Sequence, residues 1–369
     1  MSSRQPLFIM AGGGTGGHVI PAIAVAREVG HMGYEVLFVG TERGVESRMV
    51  PAAGFQLEKI RVGGIKNLGI ATRIVSLWRL VTETVGQIVR FGEWKPAAVF
   101  SMGGYVAGPP VLAALVRGVP VVVMEPNAVP GFTNRHIARW VKRALISFEE
   151  TRAFFPEGRT ELAGRPVREE FFSLSPKRGG EFTVLITGGS QGSRTLNEAA
   201  RQSWPLFREA GLPVRFIHQT GTAMCESIKD DFQKNGMAGE VTAFIGDMAK
   251  AFGEADLVVC RSGGTVSELA AAGKPSILIP YPFAADQHQL KNAEAFVRAG
   301  AARMSLDRDW NGQSFFRAVR ELYEDRESLR GMGEAARRQA RPGAARRAAE
   351  ILVQVAGLNI DSVVAEPKQ

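Results

Sequence analysis

One opening occurs twice in this chain and limits what it can fold into. Leu7-Phe8-Ile9-Met10-Ala11 runs into Gly12-Gly13-Gly14-Thr15-Gly16-Gly17, and Phe182-Thr183-Val184-Leu185-Ile186-Thr187 runs into Gly188-Gly189-Ser190-Gln191-Gly192. In both, a short uncharged run meets a glycine-rich turn holding a hydroxyl residue, and a helical pattern follows. Such runs read as strands covered on both faces. Glycines at the strand end let the backbone approach an anion, and the free amides of the next helix point at it. Similar runs occupy 36–39, 98–101, 119–124 and 144–148, then 214–218, 257–260 and 276–280, with helical patterns at 20–28, 74–89, 265–272 and 289–299. This alternation predicts an α/β protein with parallel sheets. Two Rossmann-like, doubly wound domains facing a cleft are expected, with the ligand at the carboxyl ends of the strands. The N-terminal domain is placed at 1–163 and the C-terminal one at 181–340. The stretch 164–180, with Arg165-Pro166, Ser175-Pro176 and Gly179-Gly180, reads as a linker, and 341–369 as a C-terminal helix and tail.

Composition narrows the partners. With 45% apolar and 22% charged residues the 369-residue chain is neither disordered nor fibrous. Two cysteines, Cys225 and Cys260, exclude a disulfide scaffold and an all-cysteine zinc site. A net charge of +8 favours an anionic partner. No secretory signal is read at the start, and a cytoplasmic, reducing location is expected. Residues 97–116 carry no charge over about the length that spans a bilayer. Gly103, Gly104, Gly108, Pro109 and Pro110 interrupt them, so the reading is strand, loop and a helix from about Val111, with a span as the alternative. The Ala- and Arg-rich tail 327–357 reads as solvated helices. Nucleic-acid binding is not expected, since the basic residues lack interleaved aromatics.

Several positions could carry chemistry. Gly12, Gly14 and Gly17 match G-x-G-x-x-G, but a dinucleotide fold needs an acidic residue at the end of the second strand, and Glu42 comes two residues late. His18, directly after the turn, suits a general base in group transfer better than it suits a dehydrogenase; the alternative is a histidine capping its own helix. Ser190 can add a hydroxyl donor to the second turn, which could otherwise be merely tight. Cys260-Arg261-Ser262-Gly263-Gly264-Thr265 repeats the arrangement, and Glu268, one turn into the next helix, is placed to accept hydrogen bonds from a ribose or simply to complement the helix dipole. Asp286-Gln287-His288-Gln289 suits sugar hydroxyls and makes a poor metal site. Asp307-Arg308-Asp309 formally reads D-x-D but is taken as a solvated turn away from the glycine loops.

Together the motifs resemble the MurG family of bacterial cell-wall glycosyltransferases, from Gly12 to about Ala301. The likeness rests on Gly13 to His18, Met102 to Pro109, Glu125-Pro126-Asn127, Gly164 to Arg168, Gly188 to Gly192, Phe244 to Met248 and Arg261 to Glu268. It implies the GT-B arrangement and inverting transfer of N-acetylglucosamine from UDP-N-acetylglucosamine to lipid I, the undecaprenyl-linked muramoyl-pentapeptide, giving lipid II. His18 is implied as the base, with Glu125 as a second candidate. The donor residues implied are Asn127, Arg168, Ser190, Ile245, Gly264, Thr265, Glu268, His288 and Gln289. Thr15, Gly16 and Gly17 are counted with them while bordering the acceptor side, to which Gly13, Gly14, Gly103, Gly104 and Tyr105 belong. No metal or other cofactor is expected; helix N-termini and Arg168 would stabilise departing UDP. The loop 262–265 is one residue shorter than the family form, and Arg165 stands where asparagine is common.

The acceptor is membrane-bound, so peripheral attachment to an anionic surface, at the cytoplasmic face of the inner membrane, is expected. Contacts are sought at Lys66, Arg73 and Arg79 with Ile70, Ile74, Leu77 and Trp78. The opposing reading makes Ile74, Leu77, Val81, Val85 and Ile88 a core-facing stripe. Alternatives for the whole chain are a UDP-N-acetylglucosamine 2-epimerase, a non-catalytic sugar-nucleotide binder and, least, a nicotinamide dehydrogenase.

Overall fold

Two sheets, each parallel throughout, organise the chain. The computed structural model describes residues 5–63, 70–175, 177 and 179–359, without the side chains of 70–74. The strands are β1 Leu7–Gly12, β2 Glu35–Thr41, β3 Gln56–Ile60, β4 Ala98–Gly103, β5 Val121–Glu125, β6 Arg143–Ile146 and β7 Thr160–Glu161 in the first sheet. The second holds β8 Phe182–Thr187, β9 Val214–Gln219, β10 Ala238–Thr242, β11 Leu257–Cys260, β12 Ser276–Leu278 and β13 Ala302–Met304. The chain divides into one unit of residues 1–166 and 343–369 and another of 167–342.

In the first unit the strand order is β3-β2-β1-β4-β5-β6-β7, and in the second β10-β9-β8-β11-β12-β13. Both follow the doubly wound pattern, in which the direction of winding reverses next to the first strand. The reversal lies between β1 and β4 in one unit and between β8 and β11 in the other. Each of those four strands ends in a glycine turn. The turns therefore flank the crevices where parallel α/β sheets bind ligands.

Burial explains the sequence pattern. Every residue of β1, β4, β5, β8 and β11 is buried, as expected for strands with helices on both faces. The helices of the first unit are α1 Gly16–His31, α2 Glu46–Ala52, α3 Ile70–Trp94, α4 Gly108–Val116 and α5 Phe132–Ile137. Residues 97–116 thus form β4, a loop and α4, and among the described residues no helix is long and apolar enough to cross a membrane. The second unit carries α6 Glu169–Phe172, α7 Arg194–Glu209, α8 Cys225–Lys234, α9 Met248–Glu254, α10 Thr265–Ala272, α11 His288–Arg298, α12 Gly312–Glu324 and α13 Arg326–Arg338.

The basic tail is not a pair of solvated helices. α13 stays with the second unit, while α14 Ala344–Val355 returns to the first and buries Ala348, Ile351, Leu352 and Val353 in the core of α1 and β1. Its arginines point outward: Arg347 pairs with Glu161 at 2.5 Å and Arg346 with Glu28 at 3.7 Å.

Candidate functional site

In the first unit, β1 and β4 leave the sheet side by side, with Gly12 opposite Gly103. Gly14 (φ +83°), Gly103 (φ +77°) and Gly104 (φ +77°) adopt the left-handed conformation that glycine enters without penalty. The first turn is held from beneath by a residue the motif reading does not single out. Glu46, fully buried at the start of α2, accepts from the Gly14 amide at 2.8 Å and from the Thr41 amide and hydroxyl at 2.9 and 2.6 Å. Burial pushes its carboxyl up, but these bonds outweigh that and hold it below the ordinary carboxylate value. A Cβ on Gly13 would strike the same carboxylate. The Tyr105 ring lies against Gly14, and burial first, then the Glu46 charge, raises its phenol.

Thr15 caps α1 without a side-chain bond to the helix, and no acidic residue occupies the first turn. Gly16 and Gly17 open that helix, and Gly17 gives its carbonyl to Arg165 Nη2 at 3.1 Å. His18 is half-buried in the same turn, beside Gly104. Its Nδ1 lies 3.2 Å from the Gly13 carbonyl, which can only accept. The neutral ring therefore carries its proton on Nδ1 and its lone pair on Nε2, the form a base requires.

Glu125 plays a different part. It ends β5 almost fully buried, and both oxygens are engaged: Oε1 by the Asn127 amide and side chain at 3.0 Å, Oε2 by Gly131 and Asn134 at 3.0 Å. Burial raises its carboxyl, with those bonds offsetting only part. Four donors on two oxygens make Glu125 the clasp of the 125–134 loop. Both Glu125 oxygens are thereby committed to that loop. Asn127 is set by the same clasp, and Asn134, absent from the sequence reading, joins it to the Gly103 turn.

In the second unit, glycine is obligatory where β8 ends. A Cβ on Gly188 would run into Ser193, and one on Gly192 (φ +73°) into the Thr220 carbonyl. Thr187 donates to Gln219 at 3.2 Å and accepts from the Gly189 amide, while Gln219 donates to the Gly189 carbonyl. Ser190, at the tip, is exposed. The next layer down is His218–Asn197–Thr220: His218 Nε2 donates to Asn197 Oδ1 at 3.0 Å, and Asn197 donates to the Thr220 carbonyl at 2.9 Å.

After β11, Gly264 caps α10, Thr265 opens it, and Glu268 sits half-buried in its first turn. Helix α11 grips this loop. Gln289 takes the Ser262 hydroxyl on its carbonyl at 2.7 Å, and its side-chain oxygen accepts from Tyr281 N at 3.0 Å. Asn292 donates to the Ser262 carbonyl at 3.0 Å. Asp286 and Gln287, both at φ +53°, bend the chain into His288, the first residue of α11, whose Nδ1 lies 2.7 Å from the Ala285 carbonyl. The structure thus brings Gly264, Thr265, Glu268, His288 and Gln289 to one end of the second sheet. Ile245 lies half-buried in the loop after the neighbouring strand series. Arg168 caps α6, pairs with Glu170 at 2.7 Å and lies over the Phe171 ring, so any contact with a diphosphate requires it to leave Glu170.

Asp307 corrects the expectation of a solvated turn. It pairs with Arg261 of the second glycine loop at 2.5 Å and accepts from Thr195, in the first turn of α7, at 3.1 Å. One carboxylate ties both turns of the unit together. Asp309 stays exposed. Among the described residues no three His, Cys, Asp or Glu side chains gather as a metal site, and burial pushes the Cys260 thiol up, which keeps it inert.

The comparisons match this layout. The model described as "Glycosyltransferase family 28 N-terminal domain" covers residues 8–146 and "Glycosyltransferase family 28 C-terminal domain" covers 183–348. A Solibacter usitatus protein named UDP-N-acetylglucosamine–N-acetylmuramyl-(pentapeptide) pyrophosphoryl-undecaprenol N-acetylglucosamine transferase is 61% identical over 95% of this chain and 96% of its own. The crystal structure of Acinetobacter baumannii MurG aligns with a TM-score of 0.81 and 31% identity over 95% of this chain and 99% of that one. A UDP-GlcNAc 2-epimerase from Neisseria meningitidis aligns with a TM-score of 0.62 at 13% identity, covering 95% and 98%, which shows a common fold and nothing more. With both family models falling on the paired sheets and their glycine turns, the chain belongs to glycosyltransferase family 28.

Proposed function

We propose that this chain is the N-acetylglucosamine transferase its relatives are named for. It moves N-acetylglucosamine from UDP-N-acetylglucosamine to the N-acetylmuramyl-pentapeptide carried on pyrophosphoryl-undecaprenol, lipid I, giving lipid II. The observation that carries this reading is the 61% identity across nearly the whole chain. The four glycine turns at the two winding reversals support it.

The second unit holds the donor. The Gly188–Gly192 turn and the start of α7 receive the diphosphate, with Ser190 as hydroxyl donor. Ile245 meets the uracil through its backbone, Glu268 takes the ribose, and Gln289 with His288 reads the sugar hydroxyls. Gly264 and Thr265 add amides, and Asn127 and Arg168 complete the set. The first unit receives the acceptor at Gly13, Gly14, Gly103, Gly104 and Tyr105, with Thr15, Gly16 and Gly17 bordering both substrates. The acceptor hydroxyl oxygen attacks the anomeric carbon, its proton passes to His18 Nε2, and the bond from that carbon to the UDP oxygen breaks. The configuration inverts. Positive helix ends and Arg168 balance the charge on departing UDP without a metal.

Attachment is peripheral, at the cytoplasmic face of the inner membrane. Among the sought contacts, Lys66 lies outside the described residues, as do the side chains of Ile70, Arg73 and Ile74. What supports the reading is the rest of α3: Leu77, Val81 and Val85 are exposed, Val85 by 57% and Trp78 beside them by 68%, so they do not face the core. Val116 of α4, which packs on α3, is exposed as well. An apolar helix face beside arginines suits an anionic bilayer.

The test is UDP release from UDP-N-acetylglucosamine in excess chelator, with and without a lipid I analogue. Release that needs the acceptor and tolerates the chelator is expected, and release without acceptor would point to the epimerase class. His18→Ala should lower kcat by about 10²–10⁴-fold with donor KM little changed; near-normal turnover would remove His18 from the mechanism.

A further inference from the structure

A recess of about 550 Å³ in the first unit has no part in the chemistry above. Arg135, His136 and Arg139 line one side, and Phe154, Phe155 and Pro156 the other. The Arg135 guanidinium stacks 5.7 Å over Phe154, and Arg139 4.1 Å over Trp140. Among the described residues neither arginine has an ion-pair partner, and no carboxylate lines the recess. The His136 ring stacks on Phe132 at 3.9 Å with Nδ1 held by the Phe132 carbonyl, which fixes the Nδ1–H form when neutral. Arg159 donates to the carbonyls of Arg139 and Val141 at 2.8 and 2.9 Å and anchors the backbone behind the site. Two guanidiniums left without a carboxylate, one imidazole and a wall of apolar rings describe a place for a carboxylate on a partly apolar chain.

The recess is wired to the acceptor turns. On α5, two residues before Arg135, Thr133 donates to the Gly104 carbonyl at 2.8 Å. On the opposite wall, Thr151 donates to the Asn127 carbonyl at 2.8 Å. The Gly103–Gly104 turn, the 125–134 loop and the 149–154 turn follow β4, β5 and β6, which are neighbours in that order in a parallel sheet, so all three leave by its carboxyl edge. At about 4.8 Å per strand, β1 to β6 spans roughly 14 Å along that edge. An extended pentapeptide reaches about 17 Å.

Resting on the transfer reading above, we propose that this recess receives the peptide stem of the acceptor, with Arg135 and Arg139 pairing to a peptide carboxylate such as its C-terminus, and the rings of Phe154 and Phe155 packing its side chains. The site selects acceptors by their peptide and leaves the sugar chemistry untouched.

The experiment compares two synthetic acceptors with the same lipid and sugar, one carrying the pentapeptide and one without peptide, in UDP-release assays of the full chain at saturating donor. The double variant Arg135→Gln/Arg139→Gln should raise KM for the pentapeptide acceptor by about tenfold, the lower end for charge-assisted hydrogen bonds. Its kcat, its donor KM and its KM for the peptide-free acceptor should stay at wild-type values, which also reports correct folding. Equal KM changes for both acceptors, or none for either, would overturn the peptide site alone. Loss of binding to vesicles of anionic phospholipid with the two acceptors still changing in parallel would assign the recess to a lipid headgroup and overturn it too. A wild-type chain that releases UDP with neither acceptor would sink the transfer reading, and the peptide site with it.

Discussion

Acid should loosen the Gly188–Gly192 turn, the proposed donor turn, through one buried imidazole. His218 in β9 is completely buried, and burial lowers its pKa from 6.5 to about 3. Its Nε2–H donates to Asn197, so the added proton must go to Nδ1, which is buried and has no partner. The folded state therefore keeps His218 neutral, while the unfolded chain protonates it near pH 6.5. Between those values the unfolded state binds one more proton, so stability rises with pH, is fully present at neutral pH, and falls as acid is added. From pH 7 to pH 5 the loss integrates to about 2 kcal/mol, and it continues at about 1.4 kcal/mol per pH unit toward pH 3. His218→Gln supplies the comparison: the amide still donates to Asn197 and does not titrate. Urea titrations of both proteins at pH 7 and pH 5 measure the difference, in which other groups cancel. The wild type should lose about 2 kcal/mol more than the variant. Because Asn197 also holds the Thr220 carbonyl against Gly192, UDP affinity should fall in the same window. Parallel losses in both proteins, or the resonance assigned to His218 titrating near 6.5, would refute the reasoning.

Other consequences follow from single contacts. Gly192→Ala places a Cβ against the Thr220 carbonyl at φ +73°; it should cost about 3 kcal/mol and abolish donor binding, read by thermal melts and UDP titration. Glu46→Gln keeps the volume but turns an amide NH₂ toward a backbone donor, either Gly14 or Thr41; about 2 kcal/mol of stability should go, acceptor KM should rise, and donor KM should hold. Because the Glu46 carboxyl is lowered in the fold, its stabilisation is present above its unfolded pKa and lost as pH falls through the folded value, a dependence the glutamine variant should lack. On α3, Trp78→Glu with Val85→Glu should reduce flotation with anionic liposomes by about 100-fold, while activity on a water-soluble acceptor analogue stays level.

Much of this fold is legible because the informative strands are central. β1, β4, β5, β8 and β11 are covered on both faces, so their sequences are uncharged and end at glycine. The expected helix 265–272 coincides with α10 for the same reason: one face is Val266, Leu269 and Ala270, and Gly273 stops it in the left-handed conformation. The unrecognised strands are short or peripheral ones. β3 reads Gln-Leu-Glu-Lys-Ile and β10 Ala-Gly-Glu-Val-Thr, each at a sheet edge with one side in water, where alternation with charge erases the buried-run signal. β7 has two residues and β13 three, too few for any period to show. The α3 stripe misleads in the opposite way. A helix with an exposed apolar face and one built to face a core have the same apolar spacing; here Leu77, Val81 and Val85 are exposed, while Ile88 of the same stripe packs against the core.

The site divides along a similar line. The residues proposed to meet ligands sit in turns, and glycine, serine and histidine at a strand end announce a turn from local sequence alone. Residues that hold those turns announce nothing, because each acts across the sheet. Glu46 reaches Gly14 from 32 positions away, and Asp307 reaches Thr195 from 112. Until β1 lies beside β2, Glu46 is an acidic residue opening a short helix. Until β13 returns beside β12, Asp307 is half of a solvated D-x-D. Each is more constrained than the tip residues it serves. Ser190 is exposed, so on the proposed donor assignment replacing it costs one hydrogen bond to the ligand. Removing Asp307 takes the carboxylate from the Arg261 guanidinium, which is only 12% exposed and keeps the Ile279 and Pro280 carbonyls, and it removes the Thr195 hydroxyl's acceptor in the same step. Loss of a buried partner exceeds loss of an exposed donor by about 2 kcal/mol in typical cases. On the proposed donor assignment, alanine at Asp307 should therefore raise donor KM more than alanine at Ser190.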